Sequence, residues 1–310
     1  MSHRRAVALM LLVTLLWSTA GVVTRHLEAA RSFELTFWRS AFNALALSLL
    51  LPGLHGRGHW RRTAQALRAS PVLWGSGLCW AVMYTAFMVA LTLTGVANVL
   101  VTMALGPLLT AVFARLILGQ RQPARTWGAI VLASAGIAWM FGHELGTGPG
   151  AWVGMLVALA VPLAAASNWT LLQAQRVRHA DARGAAPAGV ASNDLMSAVW
   201  LGALLSAALT LPLAWPFSAS AHDLLLLAGL GLFQLALPCL LVVRLAQVLP
   251  AAELALLGLM EVVLGVLWAW LLAGEVPSPA TLSGGVMVLA ALVGNELLGA
   301  RWRPRNQLET

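Results

Sequence analysis

Ten runs of about 20 apolar residues follow one another through this 310-residue chain, at 6–24, 33–52, 71–91, 97–118, 124–141, 151–173, 194–215, 222–243, 250–272 and 280–299. A run of that length is what an α-helix needs to cross a hydrocarbon core of about 30 Å. Lipid offers no partner to a free backbone amide, so runs of this kind must satisfy their own hydrogen bonds as helices. Charged residues make up 10% of the chain against roughly 25% in soluble domains, and mean hydropathy is +0.82. The expected fold is an all-α polytopic membrane protein with ten transmembrane helices.

The formal charge of +8 is carried by Arg alone, since none of the 19 basic residues is Lys. With the N-terminus in the cytoplasm, sixteen of them fall on the cytoplasmic side: Arg4, Arg5, Arg57, Arg61, Arg62, Arg68, Arg115, Arg121, Arg125, Arg176, Arg178, Arg183, Arg244, Arg301, Arg303 and Arg305. Arg25 and Arg31 fall outside and Arg39 lies within a run. This asymmetry puts both termini in the cytoplasm. The charge thus orients the chain in a membrane and does not form a nucleic-acid-binding stripe. Arg4-Arg5 resembles the start of a secretory signal, but the length of the first run and the lack of a small-residue cleavage site before Arg25 favour a retained helix. No soluble domain is expected. Cys79 and Cys239 sit mid-run, as two buried thiols packing like small hydrophobes.

Residues 97–138 echo residues 252–293 at an offset of 155, half the chain length, with Ala97/Ala252, Ala114/Ala269, Leu116/Leu271, Gly119/Gly274 and Thr126/Thr281 identical. Each copy closes a block of five runs. A repeat with an odd number of spans is inverted in the membrane, a construction that many secondary transporters use for alternating access. The polar, Gly- and Pro-bearing stretch 174–193 is read as a cytoplasmic linker between a unit at 1–173 and one at 194–310. Structurally the sixth run, 151–173, counts with the second five. The cytoplasmic stretch 53–70 carries Trp60 beside Arg61 and Arg62 as an interfacial anchor. The fifth and tenth runs are rich in Gly and Ala, which suits a close, static helix pair.

Ionisable groups deep in a span cost about 2.5–3.5 kcal/mol each on insertion scales, so each asks for a partner or a purpose. Arg39 shares a helix face with Thr36 and Asn43. Two placements fit it: in a polar stripe facing a cavity, or snorkelling outward to Glu34 or Glu28. Glu253 and Glu261 are eight residues apart on the ninth run, about 12 Å along a helix. Glu253 lies near the cytoplasmic end, solvated or at a gate. Glu261 is mid-span, where it would carry a proton, pair with Arg39 or bind a substrate amine.

Uncharged polar and aromatic side chains gather at mid-depth in corresponding runs of both halves: Trp17, Ser18, Thr19, Tyr84, Asn98, Thr102, Asn168, Trp169, Gln234 and Trp268. Together they suit a cavity with an aromatic wall and a few convergent donors and acceptors; singly, each also suits helix–helix contact. Gly106-Pro107, Pro162 and Pro238 interrupt the fourth, sixth and eighth runs and can bend them. The loop GTGPG at 146–150 lacks the ending of a phosphate loop, His143-Glu144 lacks a second His, and no Ser–His pair shares a membrane depth. The reading is accordingly not an enzyme, and without cofactor or resident metal.

The stretches LLWSTAGVVTRHL, LTFWRSAFNALAL, GPLLTAVFARLILGQR and LGLMEVVLGVLWAWLLAGE resemble the EamA-type transporters of the drug/metabolite transporter superfamily. The resemblance implies two inverted five-helix repeats around a central cavity and secondary transport, often export, of amino acids or other small metabolites across a bacterial inner membrane. A multidrug or lipophilic-cation exporter is the alternative. Partners would be a small-molecule substrate, membrane lipids and protons as coupling ion. Gln120 stands where an acidic residue is common in the family, while Gly274-Glu275 keeps the pattern in the second half. The substrate-binding candidates are Trp17, Arg39, Asn43, Tyr84, Asn98, Thr102, Asn168, Trp169, Gln234, Glu261 and Trp268.

Overall fold

The computed structural model describes residues 1–24, 26–30, 32–56, 58–94, 96–142, 151–181, 189–273 and 277–301. Arg25, Arg31, Arg57, His143-Glu144, the 146–150 loop, Arg183, Gly274-Glu275, Arg303 and Arg305 lie outside them. Every regular element among the described residues is helical. The order is α1 (His3–Trp17), α2 (Ala20–Thr24), α3 (Ser32–His55), α4 (His59–Ala69), α5 (Pro71–Leu93), α6 (Val96–Met103), α7 (Gly106–Leu118) and α8 (Ala124–Phe141). After them come α9 (Ala151–Asp181), α10 (Gly189–Ala214), α11 (Ala221–Gly229), a π-helical turn (Leu230–Ala236), α12 (Leu237–Leu245), α13 (Ala251–Gly258), α14 (Met260–Ala273) and α15 (Pro279–Arg301).

Nine helical stretches among the described residues are long and apolar enough to cross a membrane, and they fall on nine of the ten expected runs. The remaining run, 33–52, is helix α3, which is 24 residues long and carries Glu34, Arg39 and Asn43. Polar residues are turned inward, as Arg39, Ser40, Asn43, Ser76, Asn168 and Ser206 are all buried. Large apolar residues such as Leu49, Leu116 and Leu225 are exposed instead. That inside-out arrangement is what lipid selects.

Two boundaries differ from the sequence reading. Helix α9 runs on to Asp181 and α10 begins at Gly189, so helix enters the stretch 174–193 from both sides, with 182–188 outside the described residues. The stretch 53–70 folds for most of its length as α4, whose Trp60 packs on Trp200 with ring centroids 4.7 Å apart.

Breaks mark three spans. The first is interrupted between α1 and α2, where Ser18 and Thr19 hydroxyls donate to the carbonyls of Leu15 and Leu16. The fourth parts just before Gly106-Pro107, and the carbonyl of Ala104 accepts a 2.8 Å hydrogen bond from Ser134 on α8. The ninth parts at Leu259, between α13 and α14. Pro162 leaves α9 continuous, while Pro238 follows the π-helical turn that loosens the eighth span.

Helices α8 and α15 form the closest-knit pair. Thr126 donates to Asn295 at 3.1 Å near one end and Trp139 to Ser283 at 3.0 Å near the other, so the two run antiparallel. Gly136 and Gly284 sit between them, and a Cβ on Gly284 would collide with the Gly136 carbonyl and the Met140 side chain. Gly285, one residue on, has open space. Gly284→Leu is therefore expected to destabilise the protein by about 1–3 kcal/mol through overpacking, while Gly285→Leu changes little. Thermal unfolding of the two variants in detergent measures the difference.

Candidate functional site

The polar core gathers where α3, α5, α12, α14 and the break after α1 meet. Arg39 is buried on α3 and its Nη2 donates to the backbone carbonyl of Tyr84 on α5 at 3.3 Å, while its Nε has no partner. This excludes the snorkelling alternative, because Glu34 is engaged elsewhere and Glu28 is 66% exposed. One turn further along α3, the amide of Asn43 is fully buried without a well-formed hydrogen bond. The Tyr84 hydroxyl donates to Cys239 Sγ at 3.4 Å. Those two residues are 155 apart in sequence, the same offset as the echo between residues 97–138 and 252–293.

The π-helical turn brings the eighth span close against α3. A Cβ on Gly231 would collide with Phe42 and with the backbone of Arg39 and Asn43, so only glycine permits this approach. Gln234 is buried on the same turn and its Oε1 is unpartnered. Glu261 stands in the first turn of α14, directly after the break at Leu259, where helix N–H dipoles favour negative charge. It lies near enough to Arg39 for the two charges to interact, yet no ion pair within 4.0 Å joins them. Trp268 on α14 donates to Ser18 Oγ at 2.9 Å, and Trp17 reaches toward Cys239. Trp17, Arg39, Asn43, Tyr84, Glu261 and Trp268 thus lie close together, with Gln234 on the turn packed against α3.

The other four candidates are engaged in helix packing. Asn98 donates to Thr94 at 2.6 Å and Thr102 to the carbonyl of Asn98 at 2.7 Å, both on the fourth span. Asn168 accepts from Ser76 at 2.7 Å, tying α9 to α5, and Trp169 meets Trp80 edge-on at 5.4 Å. The amide nitrogen of Asn168 remains without a partner.

Both ends of the bundle carry ties that sequence reasoning did not find. At the Arg-poor end, Glu34 accepts from the amides of Ser218 and Ala219 and from the Ser218 hydroxyl, at 2.7–3.0 Å. Asp223 in turn accepts from the amides of Glu28, Ala29 and Ala30 at 2.8–2.9 Å. Each carboxylate closes the loop that precedes the other's helix. At the Arg-rich end, Gln173 donates to Gln120 at 2.7 Å and accepts from the amide of Ala251 at 3.0 Å, so Gln120 joins spans four, six and nine without a carboxylate. His3 there contacts Glu253 and Glu296. An acidic residue early in a helix after a Ser, as in Ser220-x-x-Asp223, is a capping signal that could have flagged one of these ties.

Residues 4–142 match the model of the EamA-like transporter family. A solved structure described as "Crystal structure of protein" superposes with a TM-score of 0.74 at 20% identity, covering 98% of this chain and 100% of its own, which establishes a shared fold. No curated protein matches.

Removing the Asp223 carboxylate leaves three amides at a helix-and-loop junction unpaired. Asp223→Ala is expected to cost about 1.5–3 kcal/mol, the range for hydrogen bonds to charged groups, and Asp223→Asn less. Glu28→Ala, at an exposed neighbour, should be near neutral. Thermal denaturation of the three variants checks the order.

Proposed function

We propose that this chain, whose residues 4–142 match the EamA-like transporter family, is a secondary transporter exporting small zwitterionic metabolites of the amino-acid class across a bacterial inner membrane. The observation that carries the reading is the separation of Arg39 from Glu261. Arg39 is buried and Glu261 half-buried, and opposite charges withdrawn from water gain by closing into an ion pair, because an unpaired buried charge costs several kcal/mol. Here they stay apart, Arg39 Nε has no hydrogen-bond partner, the Asn43 amide one turn on has no well-formed one, and Gln234 Oε1 on the adjoining π-helical turn is also unpartnered. A solute with a carboxylate for Arg39 and an ammonium for Glu261 satisfies all of these groups. Trp17, Tyr84 and Trp268 supply the apolar wall. In the solute's absence a proton on Glu261 removes the uncompensated charge, which couples export to proton entry.

In this reading α3, the second run, also spans the membrane and completes the ten, its apolar Leu45 and Leu49 facing lipid and its polar face the site. Two inverted five-span repeats, spans one to five and spans six to ten, account for which helices pack together. Exchanging the halves turns the α5–α9 contact into α12–α1, and the contact of α3 with the π-helical turn into α10–α5. The contacts of α6 and α7 with α9 become those of α13 and α14 with α1; all of these pairs are in contact. The breaks at Ala104-Leu105 and Leu259 also correspond at the offset of 155. Alternating access then consists of releasing the Glu34 and Asp223 ties on the outside and the Gln120–Gln173–Ala251 tie in the cytoplasm in turn.

In proteoliposomes with an imposed pH gradient, the wild type should move a labelled amino-acid mixture with a rate that depends on pH. Glu261→Gln should lose the pH dependence and at least tenfold in rate, and Arg39→Gln should lose recognition of the carboxylate. A Glu261→Gln protein with unchanged rate and pH dependence would remove Glu261 from the mechanism. Competition by lipophilic cations and not by amino acids would replace this reading with the multidrug one.

A further inference from the structure

The geometry points to a site for a divalent first-row transition-metal ion at the Arg-rich end, held by His3, Glu253 and Glu296. His3 Nε2 lies 3.0 Å from Glu253 Oε1 and 3.3 Å from Glu296 Oε2, with the three side chains 20%, 12% and 27% exposed. One ligand atom from each falls within 4.8 Å of the others. A metal bound about 2.0–2.2 Å from an imidazole nitrogen and two carboxylate oxygens holds those atoms at this spacing. Mixed imidazole and carboxylate donors suit zinc, iron or manganese better than magnesium, which prefers an all-oxygen shell. Two carboxylates balance the dication, and the neighbouring Arg4 and Arg5 side chains are exposed and turned outward.

The cluster is not a requirement of packing at this junction. The positions 155 residues away are Ala158, Asn98 and Phe141, so the corresponding junction of the other half is made without an ionisable group. A second group, Glu28, His222 and Asp223, differs in kind. Its imidazole stands 3.9 Å from both carboxylates and the Asp223 oxygens are occupied by three backbone amides. The three ligands of the first group come from α1, α13 and α15, so a bound ion ties the first span to the last two.

The test is titration of Zn²⁺ alone into the untagged, detergent-solubilised full chain at pH 7.5 with excess Mg²⁺, read by calorimetry and by thermal shift. The wild type should bind one equivalent saturably and be stabilised by it. His3→Ala and Glu296→Gln should each weaken binding at least tenfold while keeping the metal-free unfolding temperature, and His222→Ala should bind as the wild type does. Absence of saturable binding overturns the site. So does equal affinity in His3→Ala and the wild type, or a loss confined to His222→Ala. A wild type that ignores Zn²⁺ but gains stability as His3 takes up a proton would make the cluster an imidazolium–carboxylate triad, and the metal site would fail.

Discussion

A guanidinium held among apolar helices sets the terms for everything packed around it. Arg39 has lost its water and received in exchange one backbone carbonyl, that of Tyr84. Such a group stays charged in lipid only if the surrounding helices present further oxygen or negative charge. Three of the local irregularities lie around it. The first span breaks at Ser18, the eighth opens into a π-helical turn and the ninth breaks before Glu261. Each change frees or redirects polar groups at the depth of Arg39, where a regular helix would present only side chains. Gly231 is the steric condition for the arrangement, since any side chain there pushes the eighth span off α3.

How much of this was legible in the sequence depends on the range of the physics involved. Spans are read from hydropathy, a property of about 20 neighbouring residues, and nine of the ten expected runs recur within a few residues of their predicted limits. The run at 33–52 also forms a helix, with Arg39, Asn43 and Glu34 lowering its apolarity. The break before Gly106-Pro107 was signalled by the proline. The break at Leu259 carries no proline, and only the offset of 155 from Ala104 could have found it. Helix propensity also outlasts apolarity: RVRHAD continues α9 although it is polar.

Partnership between distant residues was the least legible. Arg39 left two readings open because its choice depends on where Glu34 goes, and Glu34 is claimed by backbone amides 184 and 185 residues away. The candidate residues divide for a related reason. Mid-depth position was a fair guide to burial, but Asn168 and Asn98 each meet a neighbouring hydroxyl, whereas no well-formed hydrogen bond reaches the Asn43 amide or Gln234 Oε1. Sequence reports polarity and depth; only packing reports whether a polar atom has been answered. Cys239, expected to pack as a small hydrophobe, also accepts a hydrogen bond from Tyr84, its counterpart at the half-chain offset.

The asymmetry between the halves carries the final step. If the break in a span serves only flexibility, the two copies should differ little in the residues just beyond it. After Leu105 come Gly106 and Pro107, which add no charge and, at Pro107, no amide hydrogen. After Leu259 and Met260 comes Glu261, at a helix start whose dipole favours the carboxylate. One half thus supplies a smooth, uncharged half-helix and the other a charged one, with Arg39 belonging to the first half and Glu261 to the second. In the transport cycle proposed above, rocking one half against the other would change the distance between these two charges directly, and a solute or a proton that alters the attraction between Arg39 and Glu261 would act on the motion itself, without a relay through intervening side chains.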